Sequence, residues 1–170
     1  ASQAPASTIE HALCSVDETQ KIEVLRRILG GEDFRSAIVF SRTKHRAKRL
    51  ALQLVKYGHR AVALQGNMSQ NARERAMGGF RRGEFDVLVA TDIASRGIDV
   101  AEVSHVINYD VPNVPETYTH RIGRTGRAEC EGKAITLATA ADRDLIRAIE
   151  RTIGSAIPRV RIEGISTPPE

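Results

Sequence analysis

The run Ala37-Ile38-Val39-Phe40 is apolar without interruption, as expected for a strand buried on both faces of a parallel sheet. After it the period changes to that of a helix, with apolar residues at i, i+3, i+4 and i+7: Ala47, Leu50, Ala51 and Leu54. Thr43 is placed to cap this helix and Gly58 to end it. Residues 37–58 therefore predict a strand followed by a helix.

The same alternation recurs along the chain. Further strands are predicted where short apolar runs stand between turn residues: 9–16, 61–64, 87–90, 105–109 and 134–137. Strands that alternate with helices are typical of a parallel sheet covered by crossover helices. The sequence therefore predicts a three-layer α/β domain with a mainly parallel sheet, in which residues 9–16 add an edge strand.

Helices are predicted from about Asp17 to Leu29, from Ser69 to Arg82 and from Thr139 to Ile153. A Thr-x-x-Asp pattern opens the last of these. Gly78-Gly79 lies inside the second and costs about 1 kcal/mol per glycine relative to alanine, which predicts an irregular or early end there. We expect a linker remnant at 1–8, the folded domain at 9–158 and a tail at 159–170.

Composition narrows the class of protein. The chain has 170 residues, of which 41% are hydrophobic and 27% charged, and no apolar run approaches the roughly 20 residues that span a bilayer. Cys14 and Cys130 show no metal-ligand spacing, so neither a zinc site nor a disulfide framework is expected. The net charge of +4 favours an anionic partner only weakly. We expect a cytoplasmic protein without a membrane partner.

In open parallel α/β sheets, ligands bind beyond the carboxyl ends of the strands. The segments expected at those ends are rich in Gly, Ser, Thr and Arg. In the most informative one, residues 120–127, arginines recur at every third position as Arg121, Arg124 and Arg127, beside Gly123 and Gly126. Guanidinium groups match phosphate oxygens geometrically, so the cluster suits a phosphate ligand, and a basic surface turn with carboxylate partners is the alternative at this point.

Three segments together carry a resemblance to a known family. The octet His-Arg-Ile-Gly-Arg-Thr-Gly-Arg at 120–127, the segment Ala-Thr-Asp-Ile-Ala-Ser-Arg-Gly-Ile-Asp at 90–99 and the run Ile38-Val39-Phe40 resemble motifs VI, V and IV of the superfamily 2 DEAD-box RNA helicases. Gln70-Asn71-Ala72-Arg73 stands where that family has a Gln-x-x-Arg motif. The similarity covers residues 9–153 and implies the C-terminal RecA-like domain of an ATP-dependent RNA helicase.

The resemblance implies a role for each matching residue. Arg124 and Arg127 match arginines that reach the γ-phosphate of ATP, one of them as an arginine finger, and Asp99 matches an aspartate that meets the ribose. Gln70, His120 and Arg121 match positions that support contacts between the two domains. Contacts with the RNA sugar-phosphate backbone are implied for five residues: Thr43, Arg73, Thr91, Arg96 and Gly97.

Structural alternatives remain open for several of these residues. Thr43 and Ser69 can serve as helix caps, which is compatible with RNA contact because helix N-termini attract anions. Arg73 can pair with Glu74 or Asp86, and Asp99 can cap a turn. We interpret Asp92 as a structural cap. The basic residues of the second helix are expected to form a solvated face: Lys44, Arg46, Lys48 and Arg49.

The chain contains neither a phosphate-binding Gly-x-x-x-x-Gly-Lys-Ser/Thr loop nor an Asp-Glu-Ala-Asp sequence. We therefore expect ATP and Mg²⁺ to be bound mainly by an N-terminal RecA-like domain of the same parent chain, and the isolated chain to lack ATPase activity. Two other functions remain open, a superfamily 2 DNA helicase or translocase and a stand-alone binding module. Because the proposed contacts are all to backbone, the sequence of the bound RNA is not predicted.

Overall fold

The structure, a computed structural model, describes residues 9–95, 103–122, 132–162 and 164–165. Within these ranges, six strands form one sheet in the order β1-β6-β5-β2-β4-β3, and all the neighbouring pairs are parallel. The strands are β1 (Ile9–Ser15), β2 (Ala37–Phe40), β3 (Ala61–Leu64), β4 (Val87–Ala90), β5 (His105–Asn108) and β6 (Gly132–Ala138). This is the predicted α/β fold, with β1 at one edge of the sheet as predicted.

Helices cover both faces of the sheet. They are α1 (Lys21–Leu29), α2 (Lys44–Lys56), α3 (Gln70–Arg81), α4 (Asp92–Ser95), α5 (Pro115–Ile122) and α6 (Arg143–Ile153). Successive side chains of a strand point to opposite faces. Val39 accordingly packs with α1 and α2, whereas Ile38 and Phe40 pack with α3 on the other side. A separate cluster buries α5 and α6 against β1 and β6.

The register of the central strands aligns their carboxyl ends. Phe40, the last residue of β2, lies opposite Ala90 on one side and Asn108 on the other, and Ala90 lies opposite Leu64. The connections that leave four neighbouring strands therefore begin at the same edge. We call this the carboxyl edge.

The predicted caps are confirmed. The Thr43 hydroxyl accepts the backbone N–H of Arg46 at 3.2 Å and begins α2, and the Ser69 hydroxyl accepts that of Ala72 at 3.1 Å and begins α3. Gly58 follows α2 with a φ of +91°, which a residue with a side chain rarely adopts. Thr139 and Asp142 form the predicted capping box, although a 3₁₀ turn at Ala140–Asp142 precedes α6.

The prediction of an early end at Gly78-Gly79 was wrong, because α3 continues to Arg81. Gly79 is buried, and the Phe85 ring packs so closely against it that a Cβ there would lie 2.5 Å from the Phe85 Cε2. Packing thus outweighs the low helix propensity of glycine.

A short C-terminal segment pairs with the outer edge of β1. The Leu13 N–H donates to the Pro158 carbonyl at 2.8 Å, and the Val160 N–H donates to the Leu13 carbonyl at 2.9 Å. The boundary proposed between domain and tail at 158–159 falls within this pairing and stays a prediction. In the described part of the chain, no helix is long and apolar enough to cross a membrane.

The two glycines of α3 allow a matched test. Gly79→Ala should lower the free energy of unfolding by about 1–3 kcal/mol, because the added methyl overpacks against Phe85. At Gly78 the new Cβ would meet only the mobile end of Arg82, so Gly78→Ala should be neutral or stabilise by up to about 1 kcal/mol. Urea unfolding measures both values. Equal effects of the two substitutions would contradict this account of the helix.

Candidate functional site

Thr43 lies at the carboxyl edge, where β2 gives way to α2. Its side chain is exposed, and its oxygen accepts the Arg46 N–H. A hydroxyl carries one proton and two lone pairs, so the proton is free to point toward an approaching phosphate oxygen while the oxygen caps the helix. Capping and phosphate contact are therefore compatible at this residue.

Arg73 projects from the first turn of α3. Its Nη1 donates to the Ala94 carbonyl at 3.1 Å, which links α3 to α4 at the same edge. Of the partners considered from the sequence, Asp86 binds Arg60 and Glu74 binds Gln70 instead. The contact observed for Arg73 thus brings its guanidinium next to the segment that leaves β4.

Thr91 follows β4 and is 8% exposed. Its hydroxyl oxygen accepts the Ala94 N–H at 3.4 Å and so caps the short helix α4. Thr43, Arg73 and Thr91 are therefore all at the carboxyl edge, at the starts of α2, α3 and α4. The structure brings these three predicted RNA contacts to one side of the domain.

Arg121 is buried in α5 and forms a two-pronged ion pair with Asp92. Its Nε donates to Asp92 Oδ1 at 2.7 Å and its Nη2 to Asp92 Oδ2 at 2.6 Å. The interpretation of Asp92 as a cap was wrong. Thr91 caps α4, and the Asp92 carboxylate instead compensates the charge of a guanidinium that is 3% exposed.

The remaining nitrogen of Arg121 is directed into the domain. Nη1 donates to Asn108 Oδ1 at 2.8 Å and to the Asp110 carbonyl at 3.1 Å, and the guanidinium lies 4.7 Å from the centre of the Phe40 ring. Arg121 thus fixes α5 against β2, β5 and α4. Because Arg121 is buried, any support that it gives to contacts between domains is indirect. The other two residues predicted to support such contacts, His120 on α5 and Gln70 on α3, are exposed.

A second buried charge, Asp110, was not singled out from the sequence. It lies two residues after β5, and its carboxylate accepts hydrogen bonds from two side chains of the surrounding helices. Arg46 binds it with Nε at 2.8 Å and Nη2 at 2.9 Å, and Lys21 Nζ lies at 3.2 Å. Burial acts to raise the pKa of Asp110, but Arg46, the Arg42 N–H and Lys21 outweigh it and lower this pKa to about 2.

This network corrects the prediction of a solvated face on α2. Lys44, Lys48 and Arg49 are exposed, but Arg46 is half-buried and also pairs with Glu18. The pKa of Arg46 is raised, chiefly by its hydrogen bonds to Asp110. One signal in the sequence could have indicated the network: Asp110 directly follows the strand predicted at 105–109, at the end of the sheet where open parallel α/β folds bind ligands.

The other predicted site residues, Arg96, Gly97, Asp99, Arg124 and Arg127, lie outside the described residues. Within the described part, no group of three or more His, Cys, Asp or Glu residues could hold a metal ion. A cleft of about 370 Å³ opens near the ends of β1 and β6, lined in part by Thr139, Arg143 and Arg147, and none of the predicted site residues lines it.

Comparison with known proteins agrees with this geometry. A family model described as the helicase conserved C-terminal domain matches residues 20–129. The chain belongs to this family. Its relatives identify the type of this helicase domain more closely: the DEAD-box ATP-dependent RNA helicase CshA of Bacillus licheniformis is 42% identical over 161 residues. That match covers 95% of the chain and 33% of CshA, so the chain spans about a third of the length of this relative.

Solved structures give the same result for this DEAD-box C-terminal domain. The Escherichia coli DEAD-box protein SrmB, bound to the regulator RraA, matches with a TM-score of 0.88 and 37% identity over 95% of this chain and 98% of that one. Saccharomyces cerevisiae Dbp5 bound to RNA and ADP BeF3 matches with a TM-score of 0.83 and 34% identity, covering 93% of this chain and 42% of Dbp5. The predicted RecA-like fold is confirmed.

The pKa of Asp110 predicts a specific dependence of stability on pH. An ordinary aspartate titrates near 3.9 and Asp110 near 2, so its charge stabilises the folded state above about pH 4, and this contribution is lost as the pH falls through 2. Between pH 5 and pH 2 the wild type should lose about 2 kcal/mol more unfolding free energy than Asp110→Asn. Urea titrations across this range measure the difference, and parallel curves for the two proteins would refute the assignment.

Proposed function

We propose that this domain is the C-terminal half of an ATP-dependent RNA helicase and that its carboxyl edge holds the RNA backbone. The contacts assigned to RNA are Thr43, Arg73, Thr91, Arg96 and Gly97. The observation that carries the proposal is that Thr43, Arg73 and Thr91 lie at one edge of the sheet, at the starts of three helices. Longer helices such as α2 and α3 present backbone N–H groups and a positive dipole end there, which favours phosphate.

The chemistry of these residues fits backbone contact better than base recognition. Hydroxyl and guanidinium groups bind phosphate and sugar oxygens without reading the base edges. RNA held in this way is bound without regard to base sequence, and the 2′-hydroxyl offers a means of distinguishing RNA from DNA. The Dbp5 relative, solved with RNA and ADP BeF3, supports RNA rather than DNA as the polymer.

The same domain would complete an ATP site. We assign Asp99 to the ribose and Arg124 and Arg127 to the γ-phosphate, one of them as an arginine finger that stabilises the charge of the transition state. ATP with Mg²⁺, bound mainly by an N-terminal RecA-like domain of the parent chain, would supply the phosphoryl group whose transfer drives the cycle. The two-pronged ion pair between Arg121 and Asp92 supports this assignment, because it fixes α5, the helix that precedes residues 123–127 in the sequence.

Two such domains closing around RNA and nucleotide would locally open a short duplex. The chain by itself then has no ATPase activity, because the arginines stabilise a transition state that other groups must assemble. The proposal is supported by the 42% identity to CshA, which is named as an ATP-dependent RNA helicase. A cytoplasmic location stays a prediction from the sequence.

Salt dependence tests the proposed RNA contact. Binding of the chain to a single-stranded RNA should weaken with salt on a log–log slope of about −0.7 per phosphate neutralised. Arg73→Ala should flatten the slope by roughly one phosphate, because it removes a guanidinium from the carboxyl edge. Arg75→Ala removes the same charge two residues along α3, from another side of the helix, and should leave the slope nearly unchanged.

Fluorescence anisotropy with oligouridylate and with a mixed-sequence RNA measures these slopes. The proposal expects similar affinity for the two sequences and weaker binding of the corresponding DNA. It fails if Arg73→Ala and Arg75→Ala behave alike, or if one RNA sequence is strongly preferred.

A further inference from the structure

The turn that carries Thr43 is held in place by Asp110. Two donors of this turn bind the Asp110 carboxylate: the Arg42 backbone N–H at 2.8 Å and the Ser41 hydroxyl at 3.3 Å. The side chain of Arg42 is anchored nearby, since its Nη2 donates to the Val111 carbonyl at 3.1 Å. Residues 41–43 are therefore attached to the segment after β5 at several points.

The same carboxylate also fixes the start of α2. The Arg46 guanidinium donates two hydrogen bonds to Asp110, and the backbone N–H of Arg46 donates to the Thr43 hydroxyl. Thr43 is consequently enclosed between two residues that Asp110 holds, Arg42 before it and Arg46 after it. The position and rotamer of the Thr43 hydroxyl depend on this arrangement.

A negative charge near a phosphate site needs its own compensation. The Asp110 carboxylate is 6% exposed and is neutralised by Lys21 and Arg46, so it organises donors at the edge without presenting its charge to solvent. Asparagine has the same shape but would keep only one acceptor oxygen and would turn an N–H₂ group toward these donors. The turn requires a carboxylate rather than a polar group of equal size.

The backbone of Asp110 connects this turn with the other half of the site. Its carbonyl oxygen accepts Arg121 Nη1 at 3.1 Å, and Arg121 in turn binds Asp92 beside Thr91. One residue thus contacts both the turn assigned to RNA and the arginine that anchors α5.

We propose that Asp110 is a positioning residue for RNA binding, which holds the Ser41-Arg42-Thr43 turn in the geometry that accepts a backbone phosphate. The inference rests on the proposed function of the carboxyl edge. It assigns to Asp110 no direct contact with RNA, and it predicts that loss of the carboxylate acts through Thr43.

A double-mutant cycle on the 170-residue chain tests this role. Anisotropy with a fluorescein-labelled oligouridylate of about ten nucleotides, in 0.1 M salt, gives the dissociation constants of wild type, Asp110→Asn, Thr43→Ala and the double variant. Asp110→Asn should weaken binding about five-fold, which is the size of effect expected when one net hydrogen bond to the RNA backbone is lost. In the Thr43→Ala background the same substitution should add less than twofold, because the contact of the turn is already lost.

Asp33→Asn is the matched control. Asp33 forms an ion pair with Lys133 at 2.5 Å, and its carboxylate lies 3.7 Å from Nε2 of His105, the first residue of β5. Asp33 is therefore at the opposite end of the strand that Asp110 follows. Removing its charge should leave RNA affinity unchanged. Thermal unfolding of each variant sets a temperature at which all are folded, and hydrogen exchange should show faster exchange at the Arg42 amide in Asp110→Asn only. If Asp110→Asn does not fold, Arg46→Lys replaces it, since lysine keeps the charge but loses the fork, and binding should weaken by about threefold.

The outcomes separate the inference from the function beneath it. A folded Asp110→Asn, or Arg46→Lys in its place, that binds RNA as tightly as a binding-competent wild type overturns the inference alone. The inference is also overturned if Asp110→Asn weakens RNA binding five-fold in both the wild-type and the Thr43→Ala backgrounds, because Asp110 would then act independently of Thr43. A wild-type chain that shows no RNA binding overturns the proposed function and this inference with it.

Discussion

Burial of charge at the carboxyl edge is the constraint on which the rest of this site depends. A buried guanidinium or carboxylate destabilises the fold unless it is paired and hydrogen-bonded. Arg121 meets this condition through Asp92 and Asn108, and Asp110 meets it through Arg46 and Lys21. Because each pair joins elements that are distant in sequence, the starts of α2 and α4 and the body of α5 are held in one fixed arrangement.

Such an arrangement suits a site that binds a polymer through its backbone. Phosphate contacts carry little energy individually, and donors that are already oriented lose less conformational entropy when the ligand binds. Thr43, Arg73 and Thr91 are oriented in this way by bonds within the domain. Under the proposed function, this fixed geometry would let a second domain close against the carboxyl edge and complete a nucleotide site without rearranging it.

The sequence predicted the sheet well because strands buried on both faces are continuous apolar runs, and three of the short strands begin and end where predicted. It failed where packing or pairing joins distant positions. The continuation of α3 through Gly79 depends on Phe85, and the burial of Arg46 depends on Asp110, 64 residues further along the chain. Asp92 was misread for the same reason, since its partner Arg121 lies 29 residues away. Local pattern contains no information about such partners.

The most direct test of the central claim, that the carboxyl edge holds the RNA backbone, is an NMR titration of the ¹⁵N-labelled chain with single-stranded RNA. The account predicts amide shift changes after β2, at the start of α3 and after β4, including Thr43, Arg73 and Ala94. It predicts none at the amino ends of the strands or in the cleft lined by Arg143 and Arg147. Changes confined to that cleft or to the amino ends, with the residues after β2 and β4 unaffected, would contradict it.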